Sequence, residues 1–131
     1  MPTVLVIEDN KDNFKILAYA LQRSGYTVLA AETGEEGLEL ALAERPAFIL
    51  MDINLPGMDG IETTKKIRSS GIDGKIPIVA ITSYAMTGDR ERTLAAGCDG
   101  YIEKPIDPMT IVAQIEGIIG ARVKSQGSSS K

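Results

Sequence analysis

Residues 48–60 read FILMDINLPGMDG. Phe48, Ile49, Leu50 and Met51 form an apolar run of strand length, and LPGMDG after it is turn chemistry. A run that is apolar at every position, rather than at alternate ones, is the pattern of a strand buried on both faces. Asp52 stands at the end of that run. A carboxylate there is costly unless it has a partner or a task. The fold follows from what surrounds this strand, and the function from what Asp52 is for.

Working outward, short apolar runs alternate with longer amphipathic segments. Val4-Leu5-Val6-Ile7 reads as a first strand. Lys11 to Ser24 carries Phe14, Leu17, Ala18 and Leu21 at helical spacing, and Gly25 ends it. Tyr26 to Ala30 reads as a second strand. Thr33 starts a helix through Leu38, Ala41 and Leu42 that Pro46 stops. Phe48 to Met51 is the third strand, and a helix from about Asp59 to Ser70 follows it. After the loop SSGIDGK, Pro77 opens a fourth strand, Ile78 to Ile81. Thr87 or Gly88 starts a fourth helix, closed by Ala96-Gly97. Gly100 to Glu103 is a short fifth strand, and a last helix begins near Asp107 and fades after Ile119. Five strands separated by helical crossovers predict an α/β fold, a doubly wound five-stranded parallel sheet covered on both faces. The expected division is one domain over 1–122 and a flexible Ser/Gly-rich tail over 123–131.

Composition narrows the function. The chain has 131 residues, 44% hydrophobic and 24% charged, which suits one domain with a sizeable core. A net charge of −4 gives no general attraction to nucleic acid or an anionic membrane. No apolar run is long enough to span a bilayer, and Met1-Pro2-Thr3 leads straight into the first strand without a signal-peptide core. The single cysteine, Cys98, excludes an internal disulfide and suits a reducing cytoplasm; it reads as a small buried hydrophobe. There are no histidines, so the commonest general base is missing.

In an open parallel sheet, ligands bind beyond the carboxyl ends of the strands, where the strand order reverses; the fold with order 2-1-3-4-5 is a known case. The residues at those ends are Glu8-Asp9, Asp52, Thr82-Ser83 and Lys104-Pro105. With that order they face one pocket. Three carboxylates repel one another, and a hard divalent cation relieves the repulsion. Oxygen ligands without histidine or cysteine point to Mg²⁺, with Mn²⁺ as an alternative. Mg²⁺ is commonly completed by a phosphate oxygen. A cation, the Thr82 hydroxyl and Lys104 around one aspartate would hold a phosphoryl group, with Asp52 as the nucleophile that becomes an aspartyl phosphate. The donor can then be supplied by another protein, which accounts for the missing histidine.

The motifs VLVIEDN, ILMDINLPGMDG, IVAITS and GYIEKPI resemble, in kind, order and spacing, the response-regulator receiver domain of two-component signalling, the CheY-like family. The resemblance covers roughly residues 3 to 120. It implies that the metal-binding acidic pair falls on Glu8 and Asp9, where the first residue is often Asp, and that the phosphoacceptor is Asp52. It implies a switch hydroxyl at Thr82, a phosphate-contacting lysine at Lys104 before a cis Pro105, and a switch aromatic at Tyr101. The backbone carbonyl of Asn54 would reach the metal, and Asn54 and Tyr84 would tune hydrolysis of the acyl phosphate. The segment SYAMTGDRERTLAAGCDGYIEKPI resembles most nearly DivK-like single-domain regulators and the receivers attached to hybrid kinases. The implied partners are a histidine kinase or a histidine phosphotransfer protein, and a downstream protein bound through the fourth helix, fifth strand and fifth helix. The implied chemistry is the domain's own phosphorylation and dephosphorylation, not turnover.

Each residue has a plainer role to weigh. Asp52 suits a turn before LPG or a helix cap, Glu8-Asp9 a cap for the first helix, and Thr82 one more β-branched strand position. Lys104 suits a solvated surface and Tyr101 an amphipathic strand edge. Met58, Met86 and Met109 suit packing or a partner surface. Other classes fit less well. An aspartate-nucleophile phosphatase of the haloacid dehalogenase type needs Asp-x-Asp, and Asn54 stands at the second position. A flavodoxin-like FMN carrier needs a phosphate loop after the first strand, and EDNKDN would repel phosphate. A receiver-type module that signals by contact without phosphorylation, or a receiver cut from a hybrid kinase, remains compatible with the motifs.

Overall fold

The computed structural model describes residues 2–55, 57–70, 76–83 and 87–129, the side chains of 87–90 and 121–129 excepted. The elements run β1 (Thr3–Ile7), α1 (Lys11–Arg23), β2 (Thr27–Ala31), α2 (Gly34–Glu44), β3 (Phe48–Asp52), α3 (Gly60–Ser69), β4 (Ile78–Thr82), α4 (Thr87–Ala96), β5 (Gly100–Glu103) and α5 (Ile111–Ser129). All strand pairs are parallel, in the order β2-β1-β3-β4-β5. This is the expected doubly wound sheet. β3 and β4 are buried at every position, as is β1 after Thr3, which is why these strands read as unbroken apolar runs.

The pleat sends alternate side chains to opposite layers. Val4, Val6, Phe48, Leu50, Val79, Ile81 and Ile102 pack with Leu17 and Leu21 of α1 and Ile111 and Ile115 of α5. Leu5, Ile7, Ile49, Met51, Ile78 and Ala80 face the other way, onto Ala41 of α2 and Ile67 of α3. Each fully buried Leu or Ile contributes about 1.5–3 kcal/mol of transfer free energy, so the register is held from both faces.

The helices begin where short polar side chains satisfy their free N–H groups. Asn10 Oδ1 accepts from the Asn13 amide at 2.9 Å, Thr33 Oγ1 from Glu36 at 3.1 Å and Asp59 Oδ1 from Glu62 at 2.9 Å. These caps settle two of the plainer roles. Asn10 caps α1 and Asp59 caps α3, so neither Glu8-Asp9 nor Asp52 is occupied as the cap.

Most boundaries shift by a residue, and two differences have a physical cause. β2 starts one residue later, because the Tyr26 amide donates to the Leu21 carbonyl at 3.1 Å, and the ladder begins with Thr27. α5 is α-helical from Ile111 and runs to Ser129, rather than fading after Ile119. Asp107 leads into it: its carbonyl accepts from Ile111 at 2.9 Å and its Oδ1 from Met109 at 2.9 Å. Beyond Ile119 there is no proline, and Gly120 and Gly127 weaken a helix without ending it. Among the described residues no helix is long and apolar enough to cross a membrane.

Candidate functional site

The parallel register brings four strand ends to one edge. Ile7 is level with Met51, Asp52 with Ile81 and Thr82 with Glu103. Ladder hydrogen bonds continue past the strands. The Glu8 amide donates to the Ala31 carbonyl at 2.9 Å, Ile53 to Ile81 at 3.1 Å and Lys104 to Thr82 at 2.8 Å. The site residues therefore inherit the rigidity of the sheet.

Glu8, Asp9 and Asp52 each bring a carboxylate oxygen within 4.8 Å of the others, with Glu8 and Asp52 buried and Asp9 exposed. Lys104 Nζ lies 3.4 Å from Asp52 Oδ2 and 3.8 Å from Glu8 Oε1. The Lys104-Pro105 bond is cis, as the family resemblance implied. Asp52 Oδ1 accepts from the Asn54 amide at 3.0 Å, so the turn role is real but engages one oxygen only. Glu8 Oε2 accepts from the Asn10 amide at 3.2 Å, while Oε1 is buried and accepts no hydrogen bond.

Electrostatics explain why this set is incomplete. Two like charges at such separations repel by roughly 3 kcal/mol at an effective protein dielectric of about 20. Three carboxylates and one ammonium leave an excess of two negative charges. Burial, and next the neighbouring Asp52, push the Glu8 carboxyl up to about 7, against the lowering pull of the Asn10 amide and Lys104. An all-oxygen donor set with one buried carboxylate oxygen that accepts no hydrogen bond fits a hard divalent cation, Mg²⁺ before Mn²⁺.

Thr82 closes β4 and is buried. It shares a pocket of about 380 Å³ with Asn54, Asp59 and Arg92. Tyr101 is half-buried and packs against the α2–α3 side of the core. Tyr84 and Met86 lie outside the described residues. Met58 is buried and Met109 is almost fully exposed. Gly60 sets the β3–α3 turn. A Cβ there would lie 2.6 Å from the Asp52 carbonyl oxygen and 2.7 Å from Ile53 Cα. The start of α3 thus packs directly on the backbone that carries Asp52. Sequence reading did not find the bonds of Asn10 and Asn54 to the carboxylates; the Asp-x-Asn spacing of 52–54 was their available signal.

The family model for the response regulator receiver domain matches residues 4–116. The chain belongs to that family. It is 39% identical over 118 residues to the polar-differentiation response regulator DivK of Brucella anthropi, covering 90% of this chain and 96% of that one. Among solved structures it is similar to the chemotaxis protein CheY4 of Vibrio cholerae, with a TM-score of 0.85 and 29% identity over 90% of this chain and 98% of that one. It is also similar to the receiver domain of the sensor histidine kinase PA1611 of Pseudomonas aeruginosa, with a TM-score of 0.82 and 34% identity over 91% of this chain and 98% of that one. That domain holds a magnesium ion coordinated in its active-site cleft. The cluster of Glu8, Asp9 and Asp52 matches the Mg²⁺-binding motif of receiver domains. Receiver domains act through their own phosphorylation and dephosphorylation within two-component signalling, not by turnover of a substrate.

Proposed function

We propose that Asp52 is the phosphoacceptor and that its phosphorylation switches a protein-binding surface. The observation that carries this reading is Lys104 Nζ set 3.4 Å from the buried Asp52 carboxylate and 3.8 Å from Glu8 Oε1, an oxygen that accepts no hydrogen bond. A cluster held for structure alone would leave no buried carboxylate oxygen without a hydrogen bond, as Glu8 Oε1 is left here. Glu8, Asp9, Asp52 and the Asn54 carbonyl would hold Mg²⁺, which when bound supplies positive charge to the phosphoryl oxygens.

A carboxylate oxygen of Asp52 attacks phosphorus as the bond from phosphorus to the donor's histidine nitrogen breaks. The imidazole leaves with that electron pair and takes a proton from water. Lys104, already paired to Asp52, then faces the dianionic phosphoryl group. Thr82 donates its hydroxyl to a phosphoryl oxygen and moves toward it. Tyr101 turns into the space released, and the face built from α4, β5 and α5 changes. Asn54 and Tyr84 tune hydrolysis of the acyl phosphate. Phosphorylation shifts the two states only by its differential interaction with them. A few kcal/mol is enough to turn a minor population into the dominant one.

The proposed donors are a histidine kinase or a histidine phosphotransfer protein. The support is the likeness to a DivK regulator and to a receiver that forms part of a sensor histidine kinase. The downstream partner is a protein that reads the α4-β5-α5 face, and the working location is the cytoplasm. The receiver unit is assigned to residues 1–122, with 123–131 beyond it.

The test is intact mass after incubation with acetyl phosphate and Mg²⁺. Gain of one phosphoryl group, absent in Asp52→Asn and in EDTA, is the expected result. Equal phosphorylation of the Asp52→Asn chain would overturn the assignment.

A further inference from the structure

At the edge of the sheet opposite the carboxylate cluster, one side chain joins α3 to two further segments, the approach to β4 and the α4–β5 loop. Arg68, in the last turn of α3, is four-fifths buried. Its Nε and Nη2 donate to the Gly97 carbonyl at 3.1 and 2.9 Å. Its Nη1 donates to the Ile76 carbonyl at 2.8 Å, and Nη2 also meets Asp99 Oδ2 at 3.2 Å. Asp99 Oδ2 in turn accepts from the Ile78 amide at 2.8 Å, at the start of β4. One turn earlier on the same face of α3, Thr64 Oγ1 lies 3.6 Å from Cys98 Sγ.

Gly97 follows the last residue of α4, so the guanidinium sits at the partial negative charge of that helix's C-terminal end. Gly97 has φ +118°, and a Cβ there would lie 2.8 Å from Arg68 Cγ. The loop is shaped around this arginine. A planar cation with several fixed donors can hold such a junction; a lysine cannot reproduce the fork.

We propose that Arg68 is the fulcrum of α4: it pins the C-terminal end, so that phosphorylation-linked movement of this helix is a tilt about Gly97. This rests on the phosphorylation reading above. The other end of α4 connects to Thr82 through residues 83–86. α4 has ten residues. At 1.5 Å per residue that is about 15 Å of helix, so a displacement of about 1–2 Å at Thr87 is a tilt of about 4–8°. Without the clamp the same pull from Thr82 would also displace the far end, and less of it would reach the helix face as a change of angle.

The experiment is amide hydrogen exchange on the full chain, with Mg²⁺ alone and with Mg²⁺ plus beryllofluoride as the phosphoryl mimic, its occupancy followed by fluorine NMR. In the native chain, exchange at residues 94–99 should change by less than about 2-fold on mimic binding, while the start of α4 changes by about 5-fold or more. In Arg68→Ala the mimic-dependent change should spread to 94–99, with Arg68→Lys intermediate. A purely structural role would raise exchange at 94–99 equally with and without the mimic, and that result overturns the proposal. A native change spread evenly along α4 also overturns it. Asp99→Asn keeps an acceptor for Ile78 while weakening the ion pair, and it should reproduce part of the effect if Arg68→Ala does not fold. Failure of the native chain to bind the mimic is a separate outcome: it defeats the phosphorylation reading, and the fulcrum with it.

Discussion

Lys104 Nζ stands 3.4 Å from Asp52 Oδ2 and 3.8 Å from Glu8 Oε1, one ammonium shared by two buried carboxylates. The ladder bond from the Lys104 amide to the Thr82 carbonyl fixes where this side chain starts. Lys104 is therefore both the internal counter-charge of the metal-free site and a competitor of any added cation.

Replacing Lys104 by Ala separates these two effects. The metal-free chain should lose stability, by about 1–3 kcal/mol, because two buried carboxylates lose their nearest positive charge. Mg²⁺ affinity should rise several-fold, because the site is left more negative. Urea unfolding in EDTA and calorimetric titration with Mg²⁺ read the two effects separately. Weaker Mg²⁺ binding in the variant would mean that Lys104 organises the carboxylates rather than competing for them.

Gly60→Ala tests the contact between α3 and the Asp52 backbone. The added Cβ would lie at 2.6 Å from the Asp52 carbonyl oxygen, and backbone atoms cannot swing aside as a side-chain tip can. Overpacking of this kind costs about 1–3 kcal/mol. Because the displaced segment carries Asp52 and Asn54, Mg²⁺ affinity should fall along with the urea midpoint. A loss of stability with unchanged Mg²⁺ affinity would show that the α3 start yields instead of the β3–α3 turn.

The sheet was legible because β1, β3 and β4 are buried on both faces, so their sequences are apolar without interruption, which marks them as the central strands. The meeting of Glu8, Asp9, Asp52 and Lys104 was legible because each ends a strand or follows its end directly. The lack of a hydrogen bond at Glu8 Oε1 was not, since it depends on which oxygen Asn10 takes. Nor was the Arg68 junction. An arginine at the end of an amphipathic helix looks solvated, and only tertiary packing brings Gly97 and Asp99 to it. The end of α5 was misjudged from serines and glycines whose cost to a helix is small per residue.

Cys98 should be close to inert in the folded chain. It is 7% exposed, and burial pushes its thiol up to about 11. At pH 8 that leaves roughly one thiolate in a thousand, on the order of 100-fold fewer than for an ordinary cysteine. Labelling by a disulfide reagent should therefore be at least that much slower than in urea, before any steric factor. The sign of the pH effect follows. The folded state holds this proton more tightly than the unfolded chain, so the contribution is intact below the unfolded value and is lost as pH rises toward 11. Rapid native labelling at pH 8 would mean that the α4–β5 junction opens readily.

The Glu8 carboxyl sets a second linkage, at lower pH and tied to the metal. Its ordinary value is 4.5, and burial beside Asp52 raises it to about 7 in the metal-free fold. A raised folded value means that this group's contribution to stability is fully present below 4.5 and is lost as pH rises through 7. Mg²⁺ favours the ionised carboxylate against the burial and the Asp52 charge that raise it, so the rise in melting temperature on adding Mg²⁺ should be larger at pH 8 than at pH 5.5. Asp52→Asn removes one of the charges responsible. That variant should be more stable than the native chain in EDTA at pH 8, by about 1–2 kcal/mol, and should bind Mg²⁺ at least about 10-fold more weakly. Glu8→Gln should flatten the pH dependence between 5 and 7.5 without matching that loss of Mg²⁺ affinity. Thermal melts of the three chains across pH, with and without Mg²⁺, decide the matter. A native chain whose response to Mg²⁺ does not grow with pH would place the metal away from Glu8.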